Sequence, residues 1–291
     1  MNDALAPGFY GKFPSLGDFV TRRLPRAFVD PWDAWLQTSV ARSREQLGED
    51  WLEIYLTSPI WRFVLAGGVC TPEPWAGVVM PSVDRVGRCF PLVVAGALPE
   101  GVDPFAVPGA AAAWFDRAHD TVLSALDEES FTLEDFDAGV EALGRVGHDL
   151  PGPMAFGQGA RAETDAWRLP LPLGGGSAGA SAAGLPGALL NHLVHGRMGA
   201  CSLWWSAGSE LVEPSFLLCR SLPPVEGYVA LLCGDWRTWP WEDWADHRTA
   251  PEDGARPAAP DRAGALPADW DDVPPGPADD DASVDPSGAG R

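Results

Sequence analysis

Residues 57–98 constrain the fold of this chain more than any other stretch. They hold three short apolar runs, 60–66, 75–80 and 89–98, rich in Val, Ile, Leu and aromatic residues and bounded by Gly, Pro or Ser. Such runs read as buried strands, because β-branched and aromatic side chains suit a pleated surface and Gly and Pro punctuate its ends. In the first run Trp61, Phe63 and Leu65 alternate with Ile60, Arg62 and Val64, which puts Arg62 on the face opposite the aromatics. A covered Arg62 needs a partner, and Asp84 is one candidate. Pro91 in the third run implies a bulge, an edge, or a strand that starts after it. The connection 81–88, Pro-Ser-Val-Asp-Arg-Val-Gly-Arg, is long enough to fold back antiparallel.

Around this core the local signals are clear. Residues 8–13 read as a first strand closed by Pro14-Ser15-Leu16-Gly17. After it, Asp18 either caps a helical turn or joins Arg22 and Arg23 in an exposed charged surface. Asp30-Pro31 reads as the N-cap and first position of a helix whose apolar face carries Trp32, Trp35, Leu36 and Val40, with Gly48 as its stop. Residues 51–55 read as a further turn or a short strand, ended by Ser58-Pro59. Residues 104–126 have helical periodicity, and Thr132 with Asp135 forms an acidic variant of the capping box ahead of Leu133, Phe136, Val140 and Leu143. A short helix is expected at 185–194, strands at 201–206 and 215–220, and a helix from Val225. The expected fold is a single α/β domain over 5–245, with a mixed or mostly antiparallel sheet of five or six strands covered by helices. The Gly/Ala/Ser-rich stretch 174–187 reads as a flexible surface loop within it. The acidic, Pro-rich segment 246–291 is expected to be disordered, since it has too little apolar surface to offset its ordering entropy.

Composition narrows the function. With 46% hydrophobic residues among 291, the chain can build a sizeable core. Its formal net charge of −21 opposes non-specific attraction to nucleic acid or an anionic membrane, so neither nucleic-acid binding nor membrane insertion is expected. No apolar run reaches the ~18 residues of a spanning helix, and the N-terminus lacks a basic segment followed by an apolar one. A cytoplasmic location is expected. The five cysteines are odd in number, widely spaced and without a CxxC pair, and read as reduced core thiols.

Catalytic patterns are weak. Gly67-Gly68 and Gly174-Gly175-Gly176 lack the residues of a phosphate loop, and no nucleophile elbow surrounds Ser82, Ser202 or Ser206. His192 and His195 could share a helical face, but Asn191-His192-Leu193-Val194-His195 lacks the glutamate and spacing of the zinc-protease helix. His119, His148 and His247 also read as surface or packing residues. No catalytic residue, cofactor or metal site is assigned. Asp84-Arg85-x-Gly87-Arg88 could coordinate an anion or form a charged turn with an internal salt bridge. Most of the fourteen tryptophans are expected in the core, with Trp236, Trp239, Trp241 and Trp244 packing the last element down or forming a rim. The enzymatic alternative is a hydrolase using Ser82 or Cys89 beside Asp84 and a histidine brought in by folding.

The phrases MPSVDRVGRCFPL, GFYGKFPSLGDFV, RRLP, FVDPWDAWLQ and YLTSPIWRF resemble the TagF family of type VI secretion accessory proteins. The likeness spans residues 7–98 and resumes more loosely over 202–215. It implies a three-layer arrangement and a cytoplasmic, non-enzymatic, post-translational negative regulator acting through a forkhead-associated-domain scaffold protein. The charged loop residues within the matching phrases, Asp18, Arg22, Arg23, Asp84, Arg85 and Arg88, are the expected protein-interaction residues, making complementary charge contacts that set specificity. A passive structural subunit of the secretion machine is the other reading, and would be stably incorporated.

Overall fold

The computed structural model describes residues 6–127, 132–147, 185–237 and 241–242. Among these residues seven strands form one sheet in the order β2-β1-β5-β4-β3-β6-β7. They are β1 Gly8–Lys12, β2 Phe19–Arg22, β3 Trp61–Leu65, β4 Trp75–Met80, β5 Leu92–Ala97, β6 Cys201–Ser206 and β7 Ser215–Arg220. Every pairing is antiparallel. The expectation of five or six strands is therefore corrected to seven, and the added one is β2. Only Val20 of its four residues is buried, so its sequence lacks the apolar alternation that betrays a strand. Pairing with β1, from Phe9↔Arg22 to Lys12↔Phe19, supplies what propensity does not. Strand β5 begins just after Pro91, whose missing N–H could not have served the ladder.

Helices cover both faces. Helix α1 (Arg26–Leu47) begins earlier than the Asp30-Pro31 signal suggested. Phe28 is fully buried one turn ahead of Trp32, so the apolar stripe continues back past Pro31. The one backbone bond Pro31 cannot make falls on the carbonyl of exposed Ala27, where water can replace it. Helix α2 (Trp51–Thr57) ends at Ser58-Pro59. The 104–126 periodicity resolves into a short α3 (Val107–Ala110) and α4 (Ala112–Ser124), broken at Ala111. Thr132 and Asp135 cap α5 (Leu133–Ala142) reciprocally, as the spacing predicted. Helix α6 (Leu185–Met198) leads into β6, and α7 is Tyr228–Cys233.

The two faces carry separate cores. On one, Phe9, Val64, Val78, Leu92 and Leu203 of the sheet meet Phe115, Val122, Phe136 and Val140 of α4 and α5. On the other, Trp61, Phe63, Leu65, Trp75 and Trp204 meet the α1 side chains Phe28, Trp32 and Trp35, with Tyr55 of α2 and Tyr228 of α7. The Trp32 ring lies 4.8 Å from Phe63 and stacks on Trp204 at 6.0 Å. The sheet is thus the middle of three layers. Arg62, on the α4 face, pairs with Asp116 at 2.9 Å and not with Asp84, because β3 directs it towards α4. Gly77 explains the tight centre of the sheet. A Cβ there would meet the Val94 carbonyl oxygen at 2.3 Å and the Phe63 ring at 2.6 Å.

Among the described residues seven tryptophans, Trp32, Trp35, Trp51, Trp61, Trp75, Trp114 and Trp204, are buried. Trp236 packs edge-on against Trp61 and Trp241, in keeping with a role in holding the last element down. All five cysteines are free thiols. The Gly/Ala/Ser-rich stretch up to residue 184, the 246–291 tail, Trp239, Trp244, His148 and His247 lie outside the described residues.

Candidate interaction surface

Antiparallel hairpin geometry brings the β1–β2 connection (13–18) and the β4–β5 connection (81–91) to the same end of the sheet. What joins them there is a buried ion pair. Lys12, the last residue of β1, and Asp84 are each only 4% exposed, and the Lys12 ammonium donates to Asp84 Oδ2. Asp84 Oδ2 also accepts from Arg88 Nε at 2.8 Å, while its Oδ1 accepts from the backbone N–H groups of Val86 at 3.1 Å and Arg88 at 2.8 Å. Burial pushes the Asp84 carboxyl up, but the Lys12 ammonium, the Arg88 amide and guanidinium and the Val86 amide outweigh it. Together they hold it well below the usual carboxylate range. A carboxylate with that many donors fixes the turn as a rigid loop.

Further bonds fasten the turn to its surroundings. Arg88 Nη2 donates to the Gly17 carbonyl, and the Arg85 N–H to the Leu16 carbonyl at 2.9 Å, so the two loops form one corner. Ser82 Oγ donates to the Lys12 carbonyl at 2.7 Å. The Tyr55 hydroxyl donates to the Ser82 carbonyl and accepts from the Ser82 N–H, both at 3.0 Å. Gly87, with φ of 81°, supplies the left-handed residue that the return of the chain requires.

The six residues singled out from sequence thus fall in two places. Asp18, Asp84, Arg85 and Arg88 gather at the corner. Arg22 and Arg23 lie at the far end of β2. Arg23, itself in the left-handed region at φ 59°, donates from Nε to the Pro7 carbonyl at 2.8 Å. Its Nη1 lies 2.6 Å from the Asp137 carboxylate of α5, close enough for an ion pair. Arg22 Nε sits 4.0 Å from the same carboxylate. Within the corner, the Asp84 carboxylate is buried and bonded internally, Arg88 braces Asp84 and Gly17, and the Asp18 carboxylate accepts from its own neighbour's N–H at 2.8 Å. Arg85 points outward and its guanidinium has no hydrogen bond or ion pair among the described residues.

Sequence reasoning missed three residues here. Lys12 sits in an aromatic run, where a cation predicts a buried partner. Val86, at the tip, is 63% exposed, and Phe19 is 43% exposed. Phe19 packs on Phe90 at 4.9 Å and Tyr10 at 5.7 Å, with the Lys12 ammonium over its ring at 5.2 Å.

The enzymatic alternative names Ser82 or Cys89 beside Asp84 and a histidine. Ser82 is 1% exposed and its hydroxyl is bonded to Lys12, while burial pushes the Cys89 thiol up against the opposing pull of Arg44 and Lys12. His119 lies on α4, pulled down first by burial and then by Arg62. Among the described residues no cluster of three or more His, Cys, Asp or Glu could hold a metal ion. None of the described helices is long and apolar enough to cross a membrane.

A search of curated proteins finds no match. The family model for the TagF N-terminal domain, type VI secretion system-associated, matches residues 8–143, which include both loops of the corner. The crystal structure of PA0076 from Pseudomonas aeruginosa PAO1 is similar to this chain at 35% identity and a TM-score of 0.64. The alignment covers 82% of this chain and 99% of that one. The chain belongs to the TagF family of type VI secretion system-associated proteins.

Proposed function

We propose that this protein is a post-translational negative regulator of type VI secretion that acts in the cytoplasm by binding a forkhead-associated-domain scaffold, without turnover. The observation that carries the reading is the corner itself. Its buried acid, Asp84, is bonded internally to Lys12 and Arg88, and among the described residues the exposed Arg85 guanidinium of the same turn has no hydrogen bond or ion pair. A preorganised charged loop favours recognition, since little ordering entropy is lost on binding. The regulatory role and the scaffold come from the family resemblance, and the exposed arginine of the corner supports the reading.

The test is affinity purification of the tagged protein from its host, comparing the natural chain with Arg85→Glu. The scaffold is expected with the first and depleted with the second, at an unchanged thermal midpoint. Equal recovery would remove Arg85 from the contact, and no recovery with either would remove the scaffold as partner.

A further inference from the structure

The two outer strands of the sheet differ in how they end it. Proteins blunt such edges with short strands, charges, prolines or bulges, because an open row of N–H and C=O groups is a template for another chain. Strand β2 is blunted: it has four residues, it ends on exposed Arg22, and Arg23 after it is tied to Asp137 of α5. Strand β7 is longer, Ser-Phe-Leu-Leu-Cys-Arg, and its one charge is the terminal Arg220. It pairs residue for residue with β6, without a bulge, and no described strand lies beyond it. The Ser221 N–H donates to the Ala200 carbonyl, and on the β3 side the Ala66 N–H donates to the Cys201 carbonyl, both at 2.9 Å. Antiparallel alternation from these bonds turns the backbone groups of Ser215, Leu217 and Cys219 towards β6 and those of Phe216, Leu218 and Arg220 outward. The side chains of the outward three are exposed too, Phe216 by 57% and Leu218 by 37%. Phe216 stacks on Trp205, its partner in β6, at 6.4 Å. The Arg220 guanidinium reaches the Arg197 carbonyl at 3.5 Å and has no ion pair among the described residues.

We infer that β7 pairs antiparallel with β7 of a second copy of this chain, across a two-fold axis at Leu218, joining two sheets into one. The strand is complementary to itself about that point. The outward backbone groups of Leu218 meet those of the second copy's Leu218, and those of Phe216 meet those of its Arg220, so the outward N–H and C=O groups all find partners. Directly opposed side chains share a face. Leucine therefore meets leucine at the centre, and on either side an arginine lies beside a phenylalanine ring, a cation–π pair. Other registers lose these matches. A slip of one residue sets outward groups against inward ones. A slip of two sets Arg220 opposite Pro214, which has no N–H, or Phe216 opposite Leu222, past the left-handed Ser221 at φ 61° where the strand has ended. The antiparallel arrangement also brings exposed Glu213, just ahead of the strand, to the end of the second copy's β7 that carries Arg220. Strand β7 is the edge farthest from β2, so pairing leaves both corners open and puts two of them on one particle. The inference stands apart from the scaffold reading.

Sedimentation of the full chain over a wide micromolar range tests the pairing, in salt that screens the repulsion between two bodies of net charge −21. A monomer–dimer equilibrium is expected. Leu218→Lys sets like charges against each other at the axis and should weaken the dimer at least about tenfold. The thermal midpoint of the dilute protein should not move, because this side chain stands on the open edge. Hydrogen exchange on the natural protein reads the register without any substitution. Raising its concentration should slow the amides of Phe216, Leu218 and Arg220 strongly and leave those of Phe19–Arg22 in β2 as they were. A chain that is monomeric at every concentration overturns the proposal, and so does a dimer that is indifferent to Leu218→Lys or that leaves the three β7 amides unprotected. If the chain stays monomeric and added scaffold protects those amides instead, the edge takes another protein and the second copy is overturned.

Discussion

Replacing Tyr55 with phenylalanine isolates the bond that holds the β4–β5 turn against α2. The ring is fully buried and stacked on Trp51 at 4.8 Å, so Tyr55→Phe removes one oxygen and leaves the packing in place. The two bonds it loses are not equal. The Ser82 carbonyl keeps a second donor, the Phe90 N–H at 3.0 Å, whereas the Ser82 N–H has the Tyr55 oxygen as its acceptor. The cost is therefore that of one buried, unsatisfied donor, about 1–3 kcal/mol, and not twice that. For a domain of this size it lowers the thermal midpoint by about 2–4 °C per kcal/mol. Urea denaturation of both proteins measures the difference, and hydrogen exchange at the Ser82 amide locates it, with faster exchange expected in the variant. A loss below ~0.5 kcal/mol with unchanged Ser82 protection would show that this N–H has another acceptor, and the account of how the corner is anchored would fail.

Gly77→Ala should destabilise by at least about 2 kcal/mol, because the added methyl meets a backbone carbonyl and the Phe63 ring and cannot be accommodated without moving β5; a urea midpoint equal to that of the natural protein would contradict this. Asp84 titrates below its ordinary value of 3.8, so the unfolded chain takes up the proton first and the stabilisation is complete above that value and declines as pH falls towards the folded pKa. Asp84→Asn should accordingly flatten the acid limb of thermal midpoint against pH, and an unaltered limb would deny the carboxylate its role. Burial pushes the thiols of half-buried Cys70 and buried Cys219 up to about 12, so a disulfide reagent at pH 8 should label them far more slowly in the native than in the urea-unfolded protein; equal rates would contradict the raised values.

Six of the seven strands were legible because each is a short apolar run between breakers, and both capping-box partners of α5 sit at the one spacing that lets them bond. Strand β2 was not legible, since its fit comes from β1 and not from its own pattern. The corner was half legible. The charged loop phrases marked where to look, but the division of labour depends on which groups meet across the 72 residues between Lys12 and Asp84, and local spacing carries no such information. The internal salt bridge of the turn, Asp84 to Arg88, was one of the sequence readings, whereas Asp84 as a buried partner of Lys12 was not. Phe19 and Val86 were passed over for the opposite reason, because an apolar residue in sequence is assigned to the interior by default.

Lys12 is the single lysine of the sequence, and its amine is enclosed. Reagents that attack side-chain amines, the aldehydes and active esters used to freeze complexes among them, find almost nothing to grip on the folded protein. An interaction map drawn with lysine cross-linkers would record few of its partners through lysine side chains. Carboxyl-directed or photo-activated coupling would show them.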